Sequence, residues 1–297
     1  MTERVILAVD GGPASASALD WVVERARSTD IELQLTSVVE LEHGTPSPVE
    51  AEYRRAHAAA LMSAAETVEA AVPGVAVTQV LRHGKPAIQL IAASQKADLL
   101  VIGTNKTRHL AGLVHGTLPL RIAGRSRCTV VVVPAGWTPV DGPVVTGWED
   151  DGTGDVTLAF AASEAERRSA DLVVVHSWTL PPAIGMGGFG IPIILDDIPE
   201  THRHALAGVA DGVRRSFPGL TVEERLETSS ASHAIVDAAH GASMVVVGSH
   251  GRGALGGLII GSVSHDVLMN MPAPVAVVPY PEKPITVLPE ITDEYLI

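Results

Sequence analysis

A glycine-rich segment late in the sequence has the residue types and the spacing to bind an anion. It follows a short β-branched run, residues 245–247, which predicts a buried strand. Gly261 then precedes a run that predicts a helix, with Ser262 or Ser264 as its N-cap. Glycines let a backbone approach a phosphate, and the free N–H groups and dipole of a helix start favour negative charge. The order strand, glycine loop and helix start therefore predicts a phosphate cradle.

The spacing of these glycines differs from that of two common phosphate loops. It runs Gly248-x2-Gly251-x9-Gly261-Ser262. No Gly-Lys-Ser/Thr closes it as in a P-loop, and no strand-proximal G-x-G-x-x-G with a later acidic residue is present. A glycine-rich turn that only joins a strand to a helix is the alternative to a binding loop.

Two kinds of enzyme chemistry have weaker support in the same region. Ser249-His250 and Ser264-His265-Asp266 supply the residue types of a hydrolase, but sequence neighbours rarely form a triad and no G-x-S-x-G elbow exists. A kinase would need a base and a metal-binding aspartate placed against the glycine loop, and neither has a candidate. We therefore expect no catalytic residues.

Metal and redox sites also have weak support. His202 and His204, two residues apart, could bind a metal ion together if they lay on a strand or loop. No cysteine or carboxylate cluster completes a four-ligand set, so solvated histidines are favoured. Cys128 is the sole cysteine, which excludes an intramolecular disulfide, and its setting before a valine run predicts a buried strand residue.

Composition and charge restrict the classes of partner. Apolar residues make up 46% of the 297 residues and aromatic residues only 3%, which suits parallel strands covered by helices. The net charge of −13 argues against nonspecific binding to nucleic acid or to an anionic membrane. The first residues begin a strand without the plan of a signal peptide, and no apolar run reaches the length of a membrane span. We expect a cytoplasmic protein.

Strands and helices alternate over the first half of the chain, which predicts a parallel, doubly wound sheet. The predicted strands are residues 5–9, 31–39, 75–81, 99–102 and 129–133. The predicted helices are residues 14–27, 49–72, about 86–96 and one that begins at Gly116-Thr117, while residues 40–48 and 103–115 are predicted loops.

The pattern then repeats. Predicted strands at residues 144–148, 171–178, 221–226, 244–247 and 275–278 accompany predicted helices at residues 157–168 and 234–241. Leu19 aligns with Leu158 at an offset of 139 residues, whereas Gly103 aligns with Gly248 at an offset of 145. The difference is an insertion that we place in residues 180–199, as a longer loop or, alternatively, as a lid or partner surface. The sequence thus predicts an α/β protein of two tandem doubly wound repeats, each a mainly parallel five-stranded sheet with helices on both faces.

The glycine spacing and the two repeats together resemble the universal stress protein family, in the tandem form found in actinobacteria. The resemblance covers nearly the whole chain and implies an adenine-nucleotide α-hydrolase-like, Rossmann-like fold. It implies one domain at residues 1–137, a second at 143–280 and a C-terminal tail at 281–297. It also implies that the two repeats pair with each other, often through their last strands, and that the protein can form a homodimer; we expect the repeats to pair face to face or edge to edge. Some members hold ATP at the carboxyl ends of the strands, and others do not. We expect ATP as the ligand here, with or without Mg²⁺, and its slow hydrolysis as a side reaction at most.

In repeat 1 the resemblance implies that Asp10, after the first strand, accepts hydrogen bonds from ribose hydroxyls. A turn-forming aspartate is the alternative. Ala8 leaves room for the ligand, and Val38 meets adenine. Lys106 stands where the family has its second loop glycine, and we favour a solvated side chain there over a phosphate contact. The other implied loop residues of this repeat are Gly103, Thr104, Gly116 and Thr117.

In repeat 2 the loop is intact, but the end of the first strand departs from the pattern. Glu149 stands opposite Asp10, Gly147 opposite Ala8, and the bulky Trp148 lies between them. Repeat 2 is therefore the better predicted phosphate site and repeat 1 the better predicted ribose site. The implied loop residues of repeat 2 are Gly248, Ser249, His250, Gly251, Arg252, Gly253, Gly261, Ser262 and Val263.

The resemblance implies a nucleotide-dependent regulator of stress or dormancy, whose ATP occupancy a partner protein reads. The alternative is a scaffold or interaction protein that binds no nucleotide. The partner and the inducing stress have no signature in the sequence.

Overall fold

The computed structural model describes residues 2–41, 47–105, 117–149, 154–179, 197–249 and 260–280, in which strands and helices alternate. The strands are β1 Glu3–Ala8, β2 Ile31–Val39, β3 Ala76–His83, β4 Leu99–Thr104, β5 Thr129–Pro134, β6 Val144–Gly147, β7 Leu172–Ser177, β8 Val222–Glu227, β9 Met244–Gly248 and β10 Val275–Val278. The helices are α1 Pro13–Ala26, α2 Ser47–Ala71, α3 Pro86–Ser94, α4 Thr117–Ala123, α5 Asp155–Arg168, α6 Asp197–Ser216, α7 Ala231–Ala238 and α8 Ser262–Met269. None of these helices combines the length and the hydropathy that crossing a bilayer requires.

All ten described strands form one continuous sheet in the order β3-β2-β1-β4-β5-β10-β9-β6-β7-β8. Within each repeat the neighbouring strands are parallel, because every connection between them is a crossover through a helix. The repeats meet at β5 and β10, which pair antiparallel with Val275 opposite Val132 and Val277 opposite Val130. The predicted pairing of the repeats is therefore edge to edge, through their last strands.

The two faces of this sheet bury separate apolar clusters, each of which runs through both repeats. One lies under α1, α2, α5 and α6 and contains Trp21, Leu33 and Leu206. The other lies under α3, α4, α7 and α8 and contains Leu100, Ile122 and Val245. Because both faces are covered, the central strands are runs of buried valine, leucine and isoleucine, as expected for a parallel sheet.

A buried ionic cluster joins α1 of repeat 1 to α5 of repeat 2. Arg25 donates from Nη1 to Glu164 Oε1 at 2.8 Å and, from Nε and Nη2, to both carboxylate oxygens of Glu3. Arg167 donates from Nη2 to Glu164 Oε2 at 2.8 Å, and Arg168 Nε lies 3.5 Å from the same oxygen. The Arg25 and Arg168 guanidinium groups also lie over the Trp21 ring, at 5.5 and 5.7 Å from its centroid. Charge pairing and cation–π contacts therefore fix the two repeats against each other.

Three sequence-based predictions need correction or addition, and two concern segments that lie partly or wholly outside the described residues. The predicted loop from residue 103 is wrong at its start, because β4 continues through Gly103 and Thr104, which pair with Val133 and Pro134. Helix α6 has no counterpart among the predicted elements, and its first residues lie inside the predicted insertion at 180–199. The strand predicted to reach Trp148 ends at Gly147. Residues 180–196, and with them most of the insertion, lie outside the described residues, as does the tail at 281–297.

Candidate functional site

The carboxyl ends of β1 and β4 lie side by side in repeat 1, and Asp10 follows β1 there. The N–H of Gly12 donates to Asp10 Oδ1 at 2.8 Å, which closes a turn over Gly11, whose φ of +79° suits glycine. The side chain is exposed, and Oδ2 accepts no hydrogen bond from the described residues. One carboxylate oxygen therefore closes the turn before helix α1, as in the turn alternative, and the other accepts no bond from the described residues.

Gly103 has a packing reason to be glycine. A Cβ built on it would lie 2.1 Å from the carbonyl oxygen of Ala14 and 2.8 Å from the backbone nitrogen of Ser15. The first turn of α1 therefore crosses directly over the end of β4. Thr104 is buried in the same strand, and its carbonyl accepts from the N–H of Ala135 at 2.8 Å. Both residues adjoin the predicted site, but their described contacts are structural.

The remaining predicted residues of repeat 1 divide into two groups. Ala8 and Val38 are half-buried against the α3 side of the sheet, where Ala8 pairs with Thr36. Lys106 and Gly116 lie outside the described residues, and of Thr117 the structure describes only its place as the first residue of α4.

In repeat 2 the two ends of the predicted phosphate loop are bonded to each other. The N–H of Gly261 donates to the carbonyl of Ser249 at 2.8 Å, and the hydroxyl of Ser264 donates to the carbonyl of Gly248. Ser249 is itself buried, and its N–H donates to the carbonyl of Val278 at 2.8 Å. The end of β9 and the start of α8 are thus held in direct contact beside β10.

The start of α8 carries unpaired backbone donors. Gly261 is the N-cap, with φ −57° and ψ 152°, and no side chain caps the helix. The predicted capping role of Ser262 or Ser264 is therefore wrong, because Ser262 is exposed and the Ser264 hydroxyl reaches across to β9. Among the described residues, no acceptor is bonded to the N–H of Ser262 or Val263. His250, Gly251, Arg252 and Gly253, the central residues of the predicted loop, lie outside the described residues.

The end of β6 offers less space than the sequence suggests. A Cβ built on Gly147 would lie 2.5 Å from Ile235 Cδ1, so the room predicted for a ligand holds a side chain of α7 instead. Trp148 is buried, with its ring 5.2 Å from that of His176, while Glu149 is exposed. Strand pairing does place Gly147 opposite Val175 as Ala8 stands opposite Thr36, which maintains the alignment of Glu149 with Asp10.

Comparison with known proteins fits this architecture. The model of the universal stress protein family matches the chain twice, at residues 1–134 and 143–279. The chain belongs to the universal stress protein family. Two universal stress proteins of Mycobacterium tuberculosis are similar over nearly their whole length. One is 26% identical, over 94% of this chain and 96% of the relative, and the other is 28% identical, over 92% of this chain and 96% of the relative. The tandem arrangement is therefore shared with these relatives.

Solved structures show the same fold over both repeats. A universal stress protein from Archaeoglobus fulgidus superimposes with a TM-score of 0.73 and 17% identity, covering 94% of this chain and 97% of its own. A protein of unknown function from Pseudomonas aeruginosa superimposes with a TM-score of 0.64 and 16% identity, covering 94% and 93%. At these identities the likeness concerns the fold alone.

Within this universal stress protein, each repeat has a histidine-based hydrogen-bond pair that the sequence analysis misses. In repeat 1, Ser37 of β2 donates to the carbonyl of Val9, and its Oγ lies 2.7 Å from Nδ1 of His57 on α2. Because the hydroxyl proton is used on the carbonyl, His57 Nδ1 must carry the proton it shares with Ser37. The carbonyl so held immediately precedes Asp10.

The corresponding pair in repeat 2 consists of two histidines. His176 Nδ1 lies 3.0 Å from the carbonyl of Trp148, and its Nε2 lies 2.8 Å from Nδ1 of His202 on α6. The held carbonyl immediately precedes Glu149. Ser37 corresponds to His176 at the offset of 139 residues, and His57 corresponds to His202 at the offset of 145. A comparison of the polar positions of the two repeats would therefore have identified both pairs from the sequence.

His202, half of the predicted alternative metal pair, is thus engaged in another way. It bonds to His176 and stacks on Trp178, with ring centroids 5.4 Å apart and planes 15° apart. In the part of the chain that the structure describes, no three histidine, cysteine or acidic side chains are grouped to hold a metal ion.

Proposed function

We propose that this universal stress protein binds ATP, with Mg²⁺, and acts as a nucleotide-dependent regulator without a catalytic site of its own. The observation that carries the proposal is the closure of the glycine loop in repeat 2. Its two ends meet through the bonds from Gly261 to Ser249 and from Ser264 to Gly248. Beside these ends lie the N–H groups of Ser262 and Val263, to which no acceptor among the described residues is bonded. Such an arrangement favours a phosphate group.

The proposed role of repeat 1 is to hold the nucleoside. Asp10 keeps one oxygen free for ribose hydroxyls, and Ala8 and Val38 are partly accessible on one side of the sheet, next to the end of β1. The position at the carboxyl ends of parallel strands is where ligands of such sheets usually bind. We propose that occupancy alters the loops and that a partner protein in the cytoplasm reads the change.

A scaffold without nucleotide is the second candidate, and repeat 2 supplies the observation that favours it. Ile235 fills the space beside Gly147, and Trp148, the residue before the proposed ribose-binding Glu149, is buried. In that case the glycine loop serves only to connect β9 to α8.

The deciding experiment is the identification of nucleotides that co-purify with the full chain. The protein is purified without added nucleotide and denatured, and the released small molecules are identified by mass spectrometry. ATP near one or two equivalents per chain is the expected result, and the ratio counts the competent repeats. No nucleotide, followed by no heat on titration with ATP and Mg²⁺, would select the scaffold.

Two variants test the residue assignments. Gly261→Glu should abolish ATP binding in repeat 2, because it adds bulk and negative charge at the start of α8, whereas Gly219→Glu adds the same charge at an exposed site. Asp10→Ala should weaken binding in repeat 1 alone, and Asp20→Ala, an exposed change on α1, should not. Unchanged ATP affinity in Gly261→Glu would refute the role of this loop.

A further inference from the structure

A cavity of about 290 Å³ lies on the α3 side of the sheet in repeat 1, and Arg82, one of its lining residues, pairs with Val38 across β2 and β3. Its apolar wall comes from Ile6 of β1 and from Ala93 of α3. Gln34 of β2 and Thr78 of β3, which are directly opposite each other in the two strands, supply neutral polar groups. Neither Asp10 nor Val38 lines it, so this inference does not depend on the proposed function.

The charged groups at the cavity are unequally satisfied. Arg4 is committed to Asp98, with Nη2 2.9 Å from Oδ1 and Nε 3.2 Å from Oδ2. Arg82 and Lys96 make no ion pair in the described part of the chain, and neither does Glu32, the one carboxylate of the lining. Arg82 and Lys96 together therefore exceed Glu32 by one positive charge, in a protein whose net charge is −13.

Arg82 also has a buried donor without an acceptor. Its Nε is inaccessible to solvent and makes no hydrogen bond. A buried donor left unpaired costs about 1–3 kcal/mol, so such groups usually have a partner that the protein chain does not supply. Arg82 lines the cavity, and a molecule bound there reaches this donor only when the Arg82 side chain shifts.

The second repeat has the same backbone without these groups. Val5, Leu33 and Val77 are paired across β1, β2 and β3 as Val144, Leu172 and Val222 are across β6, β7 and β8. By this correspondence Glu227 replaces Arg82, Gly241 replaces Lys96 and Val173 replaces Gln34. The fold therefore does not require the two cations, and their presence is specific to repeat 1.

We propose that this cavity binds a small monocarboxylic acid with a compact apolar body. Arg82 and Lys96 would meet the carboxylate, and Ile6 would contact the body. Gln34 would donate to the carboxylate with the amide hydrogen that its bond to Thr36 does not use. The single excess positive charge matches a monoanion, because a charge-assisted hydrogen bond to a guanidinium is stronger than a neutral one. The volume lies at the lower end of ligand sites, about 300–1,000 Å³, which limits the acid to a compact molecule.

The test measures the binding of three aromatic probes, benzoate, benzamide and phenyl phosphate, to the full chain by isothermal titration calorimetry. Benzoate should bind with a Kd of about 1 mM or tighter, and benzamide, its neutral counterpart, should not bind. Arg82→Leu should weaken benzoate binding by about tenfold or more. Arg225→Leu removes an exposed arginine from the corresponding edge strand of repeat 2 and should leave the Kd unchanged.

Further arms keep the result decisive. Lys96→Gln, an exposed change after the end of α3, should weaken benzoate binding without affecting folding. Asp10→Ala should not change it, which separates this cavity from the nucleotide site. The proposal is overturned if benzoate fails to bind at concentrations up to about 10 mM, if benzamide binds equally, or if Arg82→Leu has no effect. Tighter binding of phenyl phosphate than of benzoate would overturn the choice of a monoanion.

Discussion

Replacing Glu164 by glutamine tests how the two repeats are held together. The Glu164 side chain is 4% exposed and faces three arginines. Arg167 and Arg168 belong to repeat 2, as Glu164 does, and Arg25 belongs to repeat 1. The glutamine has nearly the same shape and removes only the charge. Three guanidinium groups would then remain close together with only the Glu3 carboxylate, which pairs with Arg25, to neutralise them.

The magnitude follows from the pKa of Glu164. Burial by itself raises this pKa, but Arg25 and Arg167, followed by Arg168, outweigh burial and lower it from 4.5 to about 2. A lowering of about 2.5 units corresponds to about 3 kcal/mol of stability. Removal of one partner from a buried ion pair costs about 3–5 kcal/mol, which agrees in size. We expect Glu164→Gln to lower the free energy of unfolding at pH 7 by about 3 kcal/mol.

The sign of the pH dependence is fixed by the direction of the shift. Because the pKa is lower in the folded protein, the unfolded chain binds more protons between pH 4.5 and about 2. The contribution of Glu164 is thus complete above pH 4.5 and is lost as the pH falls towards 2. The difference between the wild type and Glu164→Gln should therefore shrink over this range and be constant above it.

Urea unfolding followed by tryptophan fluorescence measures this difference, since the buried Trp21 ring lies under Arg25 and Arg168. Glu24→Gln is the matched control, because Glu24 also pairs with an arginine, Arg27 at 3.0 Å, but at an exposed position of α1. An exposed pair of this kind contributes about 0.5 kcal/mol or less. Equal effects of the two substitutions, or a Glu164→Gln effect that does not change with pH, would refute the reasoning.

Two further predictions concern buried positions. Gly103→Ala should destabilise the protein by about 2 kcal/mol or more in urea unfolding, because its Cβ would lie 2.1 Å from a backbone oxygen of α1. The control Gly208→Ala, in open space within α6, should instead stabilise the protein by about 0.5–1 kcal/mol. An unchanged stability of Gly103→Ala would show that α1 does not cross β4 so closely. Burial raises the pKa of the Cys128 thiol to about 12, so the native protein at pH 8 should resist a thiol reagent that labels it fully in urea, and rapid labelling of the native protein would contradict this burial.

Most of the strand positions could be predicted from the sequence, because the signal lies in the strands themselves. Residues 275–278 are a buried apolar run and residues 31–39 a largely buried β-branched and leucine-rich stretch, and they form β10 and β2 at the predicted positions. Helix α6 has charged or polar residues at half of its positions and follows a proline- and glycine-rich stretch, which obscures it in the sequence. Its apolar face, Leu206, Val209, Ala210 and Val213, nevertheless has the spacing of a helix and is a signal that the sequence analysis missed.

The site was harder to predict than the fold, because glycine spacing does not say what a missing side chain makes room for. Gly103 admits the backbone of α1 and Gly147 admits Ile235, and either would look the same in sequence as a glycine that admits a phosphate. The sequence predicts Ser264 as a possible helix cap, because a serine near a helix start often caps it. Its actual bond to Gly248 joins residues on two different elements, which local patterns do not report.

The buried cluster at the repeat boundary explains what a single chain can do that two identical chains cannot. Arg25 and Glu164 are 139 residues apart, and the same offset relates β1 to β6 before them and β2 to β7 after them. Ser28 and Arg167, bonded at 2.8 Å, have the same separation. Arg25 and Glu164 are therefore equivalent positions of the two repeats. In a dimer of identical repeats this contact would join two arginines or two glutamates. Because like charges that are buried together are strongly unfavourable, this contact requires two repeats that have become different, and the fusion keeps them paired.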